Sequence, residues 1–484
     1  MDTPSTIVPW LTLCLSIAGV VLVTGLRRGS LVSPMSVTLL MLTAIFGVRP
    51  IMMVAHDRYN FYGGNTVRNG FETAAWVGLL SVAFLLFGYF MGRITMSRRQ
   101  RDTVSPPGGA PRLALTIPTA AVFSVGVLLA WLVLMAATGG GFAYVLLMFQ
   151  GRGAGSETAL AGMPAVVPAL PVIAGLLMAF ARITTQRTRR IRPGENLAYW
   201  IVIVLTIIPP SALGSRRFLL PSALAAVLGA LPPQWYRLIT WRMVTLALAG
   251  FLALSIIPFV RSSGSRTGRT DLLGAMGDYF GTQGLGGTLE NFFLSYDTEM
   301  FSYIAFLSTR LGATIEYGLG RGTIGEALVT PAPSAFSLGE RWSNEILIQA
   351  FGGPCGVSYC PVPSTSGIFF YDFGLPGVVL GMILVGILLS RFEENFLRAE
   401  GVSLLALLTL AAFVPQVVRG NSIAQLWIAA QVIIVLVVVC WLATRIGRVP
   451  HRDSTAKDLR AADRIGQSKI SLAPVPSTRG LEQS

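Results

Sequence analysis

Eleven stretches of this chain are long and apolar enough to cross a lipid bilayer, and that leaves few architectures open to it. A hydrocarbon core about 30 Å thick takes roughly 17–25 apolar residues of helix per crossing, and irregular backbone cannot face lipid there. Such windows run over 7–26, 31–54, 72–92, 114–138, 164–181, 197–213, 218–231, 243–260, 367–390, 402–418 and 424–444, the sixth and seventh being short. The expected fold is all-α: a polytopic helical membrane bundle of about eleven spans. The first run is too long, and lacks the basic leader, for a cleaved signal peptide. With 53% hydrophobic and 12% charged residues, the chain lies outside the soluble globular range.

The expected organisation has four parts. Spans one to eight fill 1–260, a polar insertion fills 261–366, spans nine to eleven fill 367–446, and 447–484 reads as a disordered basic tail. Loops longer than about 15 residues are usually functional or disordered. The insertion is not disordered in composition, since it carries aromatics throughout, six arginines and nine acids. Two of its segments, 271–294 and 297–311, read as helices by apolar spacing, among Gly/Pro-rich turns at 318–325 and 330–339. The insertion is therefore expected to be a small subdomain resting on the membrane mouth.

The formal charge of +14 invites a nucleic-acid reading, which the placement of the charge opposes. With the N-terminus outside, 24 of the 37 basic residues fall in inner loops and the tail, despite the length of the outer insertion. That is the cytoplasmic bias of membrane proteins, and the excess would meet anionic lipid head groups. The expectation is a bacterial cytoplasmic (plasma) membrane protein with the 261–366 loop extracytoplasmic and the C-terminus cytoplasmic. Cys14 and Cys440 lie in spans as packing residues. Cys355 and Cys360 lie in the external loop, where either a disulfide or two unpaired thiols is open.

Candidate functional residues concentrate at the outer mouth. Gly320–Gly325 matches a dinucleotide fingerprint, but it follows no predicted strand and reads as a glycine-rich turn. Arg216 and Arg217 separate a 17-residue apolar run from a 14-residue one, which as helix covers only about 21 Å. That draws the pair below the membrane surface, where arginine marks function or snorkels to lipid phosphate. Arg419 lies in the outer turn between the last two spans, and Arg261, Arg266 and Arg269 follow the eighth span directly. Arg321 and Arg341 lie farther along the loop. Arginine's planar fork suits bidentate phosphate binding, so the set is a candidate clamp for a diphosphate head group. Arg49 could join it or serve as an anchor.

Among the acids, Glu340 and Asp372 are the candidate general bases, each with a structural ion pair as the alternative. The sequence has no D-x-D, H-E-x-x-H or cysteine–histidine cluster, so neither a catalytic metal nor a cofactor is implied, though the D-x-E pair Asp297 and Glu299 leaves a metal open.

The stretch SLGERWSNEILIQAFGG…STSGIFFYDFGLPGVVLGMILVGIL resembles the bacterial O-antigen polymerase family, the oligosaccharide repeat-unit polymerases. Its members carry a large external loop late in the chain, then a Tyr/Phe-x-x-Gly-x-x-Gly element matched by Tyr371, Gly374 and Gly377. The turn at Gly214, Ser215 and Arg216 and the pair Arg419–Gly420 also look like family features, and the likeness covers about 197–430. The resemblance implies a membrane glycosyltransferase that moves a growing glycan from polyprenyl diphosphate onto the nonreducing end of an incoming lipid-linked repeat unit. The partners implied are polyprenyl-diphosphate-linked oligosaccharide, membrane lipids and, left open, a chain-length regulator protein; nucleic acid is not among them. The rival readings are a lipid-linked glycan ligase, whose family commonly has a histidine in the loop where 261–366 has none, a polyprenyl-phosphate-sugar glycosyltransferase, and a flippase or transporter.

Overall fold

A computed structural model describes residues 4–26, 33–99, 115–138, 166–212, 216–231, 298–330 and 362–446, with isolated positions at 287, 290, 292–294, 346 and 348. The described residues are helical, with no strand and only two isolated bridges, Asn60 with Thr66 and Leu311 with Ile315. Helix α1 is Ile7–Leu26, and α2 (Pro34–Leu42) and α3 (Arg49–Ala55) are joined through a π-helical turn, Thr43–Val48. There follow α4 (Phe71–Arg99), α5 (Ile117–Thr138), α6 (Leu170–Thr188), α7 (Pro193–Ala212) and α8 (Arg216–Ala230). The loop contributes α9 (Met300–Ser308) and α10 (Glu326–Val329), and the chain ends with α11 (Ser364–Arg398), α12 (Gly401–Arg419) and α13 (Ser422–Ile446).

Each predicted span that falls in the described residues is helical, that at 367–390 with a break inside it, and the window 243–260 lies outside them. Among the described residues, seven helical segments meet the length and apolarity a membrane crossing needs. This is a helical membrane bundle.

The bundle has two lobes, each with its own core. The first packs α1 to α4, α9 and α11, with the loop-side end of α12. The second packs α5 to α8 with α12 and α13. In the second lobe α6 is the central rod, buried continuously from Pro171 to Arg182, as a helix apolar all round must be.

Apolar side chains gain nothing by leaving lipid for a helix surface, so spans associate through close backbone packing. Helices α4 and α11 meet this way. A methyl group at Gly88 would lie 2.1 Å from the Ile383 carbonyl oxygen, and one at Gly386 would lie 2.3 Å from that of Leu85. At the end remote from the loop, Glu393 of α11 accepts from Tyr89 of α4 and, at 3.0 Å, from the Met35 backbone N–H. An anion at the start of α2 suits the dipole there. At that same end, Arg187 at the end of α6 donates to the Ala399 carbonyl at 2.6 Å.

Helix α11 is not one span. Phe373 (φ −141°, ψ 18°) and Gly374 (φ 62°, ψ −149°) are non-helical, with Pro376 just beyond. In a continuous helix Ser366 and Met382 would stand about 24 Å apart, yet Ser366 Oγ lies 3.8 Å from Met382 Sδ. A methyl group at Gly377 would meet the Phe369 carbonyl oxygen at 2.4 Å, and one at Gly381 the Phe369 ring at the same distance. The chain therefore runs up through Ser364–Asp372, reverses at Phe373–Gly374, and descends as the span. Leu375–Phe396 gives about 33 Å of helix, matching a core of about 30 Å. The expected span from 367 is corrected accordingly: its first residues belong to a re-entrant helix, and the crossing starts beyond the reversal.

Loop helix α9 is likewise inserted among the spans. Its residues Met300–Leu307 are all buried. Phe301 packs edge-on against Phe46 and Phe71, and Phe61 of the first connection lies against Tyr303 and Phe306. This part of the loop lies inside the bundle core. The expected helix 297–311 is present in shorter form, and most of the expected 271–294 helix lies outside the described residues.

Candidate functional site

The reversal in α11 sets two levels at the loop-side end of the bundle: a tip, and a floor roughly 10 Å beneath it by helical rise. Asp372 is at the tip. Its Oδ1 accepts from the Gly322 N–H at 2.8 Å and its Oδ2 from the Thr323 hydroxyl at 2.8 Å. The Tyr371 and Asp372 carbonyls accept from the Gly318 and Leu319 N–H groups at 3.0 and 3.1 Å. Glycine is required at 318, where a methyl group would lie 2.4 Å from Asp372 Oδ1. The expected glycine-rich turn at 320–325 is thus a collar around one carboxylate: a left-handed Gly320 (φ 96°) and a π-helical turn, Arg321–Gly325, leading into α10.

The floor is the turn between α12 and α13, Arg419–Gly420–Asn421. Thr365, at the start of the re-entrant helix, donates to the Val417 carbonyl at 2.9 Å and shares a 2.8 Å hydroxyl bond with Ser422. Asn421 Nδ2 donates to Glu326 Oε1 at 3.2 Å, tying the loop to the turn. Glu326 is 2% exposed, Gln416 4% and Gln425 8%, and Gln425 Oε1 has no hydrogen-bond partner. Arg419 itself is half-buried. A half-buried cation at a turn that also carries amides and hydroxyls is a setting in which an anion is held more strongly than at an open surface.

A third cluster lies under the loop at the second span. Arg49, 4% exposed, donates through Nη1 to the Phe293 carbonyl at 3.1 Å and Thr298 Oγ1 at 2.9 Å, and through Nη2 to Ser302 Oγ at 3.2 Å. Glu299 is 4% exposed and its Oε2 has no hydrogen-bond partner. Burial pushes the Glu299 carboxyl up to about 7, against the opposing pull of Arg49. Of the two roles open to Arg49, the anchor is the one the structure displays. Nearby, Glu290 lies 3.1 Å from Arg58 and 3.6 Å from His56.

The predicted site residues divide three ways. Asp372 and Arg419 stand at the tip and the floor, and Arg321 is exposed at the collar beside Asp372. Each Asp372 oxygen has a loop partner and the side chain has no solvent exposure, so in this arrangement Asp372 holds the loop. The backbone of Arg216 and Arg217 opens α8, a helix of 15 residues or about 22 Å, as short as the sequence predicts. Up-and-down alternation puts that opening at the loop-side end, with Arg419, while the two side chains lie outside the description. Arg261, Arg266, Arg269, Glu340, Arg341, Cys355 and Cys360 also lie outside the described residues.

Sequence reasoning passed over Asn421, Thr365 and Gln425, and counted Glu326 only as one of the loop's acids. Asn421 carried a signal, being the polar residue directly after Arg419–Gly420. Glu326 carried none beyond its place after the glycine-rich turn. Among the described residues no group of three or more His, Cys, Asp or Glu is arranged to hold a metal. Comparison with family models, curated proteins and solved structures finds no match for this chain.

Proposed function

We propose that this protein polymerises lipid-linked oligosaccharide repeat units, moving a growing glycan from polyprenyl diphosphate to the nonreducing end of an incoming lipid-linked unit. The observation that carries this reading is the convergence of three motifs far apart in sequence. The Tyr371–Gly377 reversal, the 318–326 loop segment and the Arg419–Asn421 turn meet through Asp372 and Glu326. The first and third of these carry the resemblance to O-antigen polymerases, and the third holds Arg419, half-buried at the loop-side end of a membrane bundle.

In this reading Arg419, joined by Arg216 and Arg217 and by the loop arginines 261, 266, 269, 321 and 341, takes the diphosphate. The acceptor hydroxyl attacks the anomeric carbon, its proton passes to a carboxylate, and the sugar–phosphate C–O bond breaks. The lipid diphosphate leaves with its charge on the arginines, so preorganised cations replace a strong acid. Glu326 is the carboxylate brought to the turn, and Glu340 remains a candidate beside it. The orientation that fits has the loop outside the cytoplasm, because Arg93, Arg182, Arg187, Arg189, Arg190, Arg192, Arg391, Arg398 and Arg445 stand at the opposite end.

The test is extension of radiolabelled polyprenyl-diphosphate repeat units by the full-length protein in vesicles. A ladder of products is expected, and Arg419→Lys should reduce it by more than about tenfold while the protein stays folded, because a point charge cannot replace the fork. Folded wild-type protein that leaves the units unextended overturns the proposal. Transfer only to a different acceptor would make it a ligase.

A further inference from the structure

The segment from Tyr317 to Val329 has its polarity inside out. In the turn and helix Arg321–Val329 the buried side chain is the charged Glu326, at 2%, and the next residue, Thr330, is also buried at 8%. Ile324 and Leu328, four residues apart on one face, are each 68% exposed. A helix edge facing water shows the opposite arrangement. Leu319, just before, is 78% exposed and Tyr317 43%.

These side chains border one surface. A methyl group at Gly320 would lie 3.8 Å from Phe373 Cζ and 3.9 Å from Ile324 Cδ1, and one at Gly374 would lie 3.5 Å from Tyr317 Cε1. Phe373 and Leu375 are themselves exposed, and the surface continues down α11 through the exposed Leu380, Leu384 and Leu388 of the span. The segment also shares the depth of the re-entrant helix. It is fixed to the tip where Gly322 meets Asp372, and to the floor where Glu326 meets Asn421.

We propose that Tyr317–Val329 is a second re-entrant element, lying in the loop-side leaflet with Leu319, Ile324 and Leu328 against lipid acyl chains. The bilayer is the occupant because this face is continuous with the lipid-facing side of a span, and because the exposed Thr314 and Glu316 mark where it ends. Backbone at that depth needs internal partners, and it has them. Asp372 takes the Gly322 N–H, Gly320 O that of Gly325, and Glu326 O that of Thr330. Exposed Arg321 stands at the tip, the level of head-group phosphates. The inference rests on the membrane-bundle reading alone and is independent of the polymerase proposal.

The test places single cysteines at Leu319, Ile324 and Leu328 in a chain whose four native cysteines are replaced by alanine. Each is labelled with an environment-sensitive fluorophore and reconstituted in vesicles of phosphatidylethanolamine and phosphatidylglycerol with brominated acyl chains. All three positions are exposed, so the labels do not enter a core. Quenching at all three should match that of Leu384→Cys on the span, while Glu316→Cys keeps its emission. Emission at the three like that of Glu316→Cys overturns the proposal. So does blue-shifted, unquenched emission that disappears as protein is diluted in lipid, which would mean that a second copy covers the face.

Discussion

Two of the places where the described parts of the long loop are fastened to the bundle are built from opposite charges. At the tip of α11 a buried carboxylate, Asp372, is matched by a backbone N–H and a hydroxyl from one collar of glycines. At the second span a buried guanidinium, Arg49, gathers a carbonyl and two hydroxyls, with a carboxylate beside it that keeps an unmatched oxygen. The first fastening is saturated and the second is not. A saturated buried network rigidifies, while a partly satisfied one stores sensitivity to protonation. The tip clasp therefore reads as the rigid attachment and the Arg49 cluster as the responsive one.

The largest effect should follow from breaking the saturated clasp. Asp372→Ala leaves the Gly322 N–H and the Thr323 hydroxyl buried without acceptors, and hydrogen bonds to charged groups are worth about 1.5–3 kcal/mol each. A loss of about 3–5 kcal/mol is expected, read as a fall in the thermal unfolding midpoint of the detergent-solubilised protein. Asp372→Asn, which keeps one acceptor and can reverse the other bond, should lose about 1–2 kcal/mol and retain activity. Asn abolishing activity at unchanged stability would reverse the assignment and make Asp372 a base.

At the responsive clasp, Arg49→Lys retains the charge and removes the fork that reaches Phe293, Thr298 and Ser302 together. The expected loss is about 1–3 kcal/mol, smaller than for Asp372→Ala because the hydroxyls can turn to other partners. A larger loss at Arg49 than at Asp372 would invert the comparison.

The two clasps were not equally legible in the sequence. Hydropathy marks spans well because burial in lipid demands unbroken apolar runs, and each described window is helical. It misread 367–390 because a re-entrant helix and the span it folds against are both apolar and run together as one stretch. The breakers were present, since Gly374 and Pro376 stand two residues apart within FGLPG. Asp372 stood out as an acid at the head of a predicted span, but nothing local marks which loop glycines will wrap it. Arg49 was visible as an arginine in an apolar run, while its partners come from about 250 residues away. Carboxylates such as Glu299 and Glu326 are buried by tertiary packing alone, which no periodicity reports. The arginine clamp was legible as composition, and only Arg419 among its members has described surroundings below the tip.

The smallest effect, and the sharpest test of the unsaturated clasp, is a slope in pH. Glu299 lies outside the spanning segments, and burial raises its carboxyl from 4.5 to about 7 in the folded protein. A raised carboxyl binds more protons folded than unfolded, so its contribution to stability is fully present below about 4.5 and is lost as pH rises toward about 7. Above that it is constant. The loss across the window is read as a fall in the unfolding midpoint, and the pull of Arg49 is already contained in the value of about 7. Glu299→Gln, which cannot ionise, should flatten the unfolding midpoint across the window and exceed wild type at its upper end. Asp372→Asn should leave the wild-type slope in place. An equal slope in wild type and Glu299→Gln would assign the pH dependence to another group and remove the functional contrast between the two fastenings.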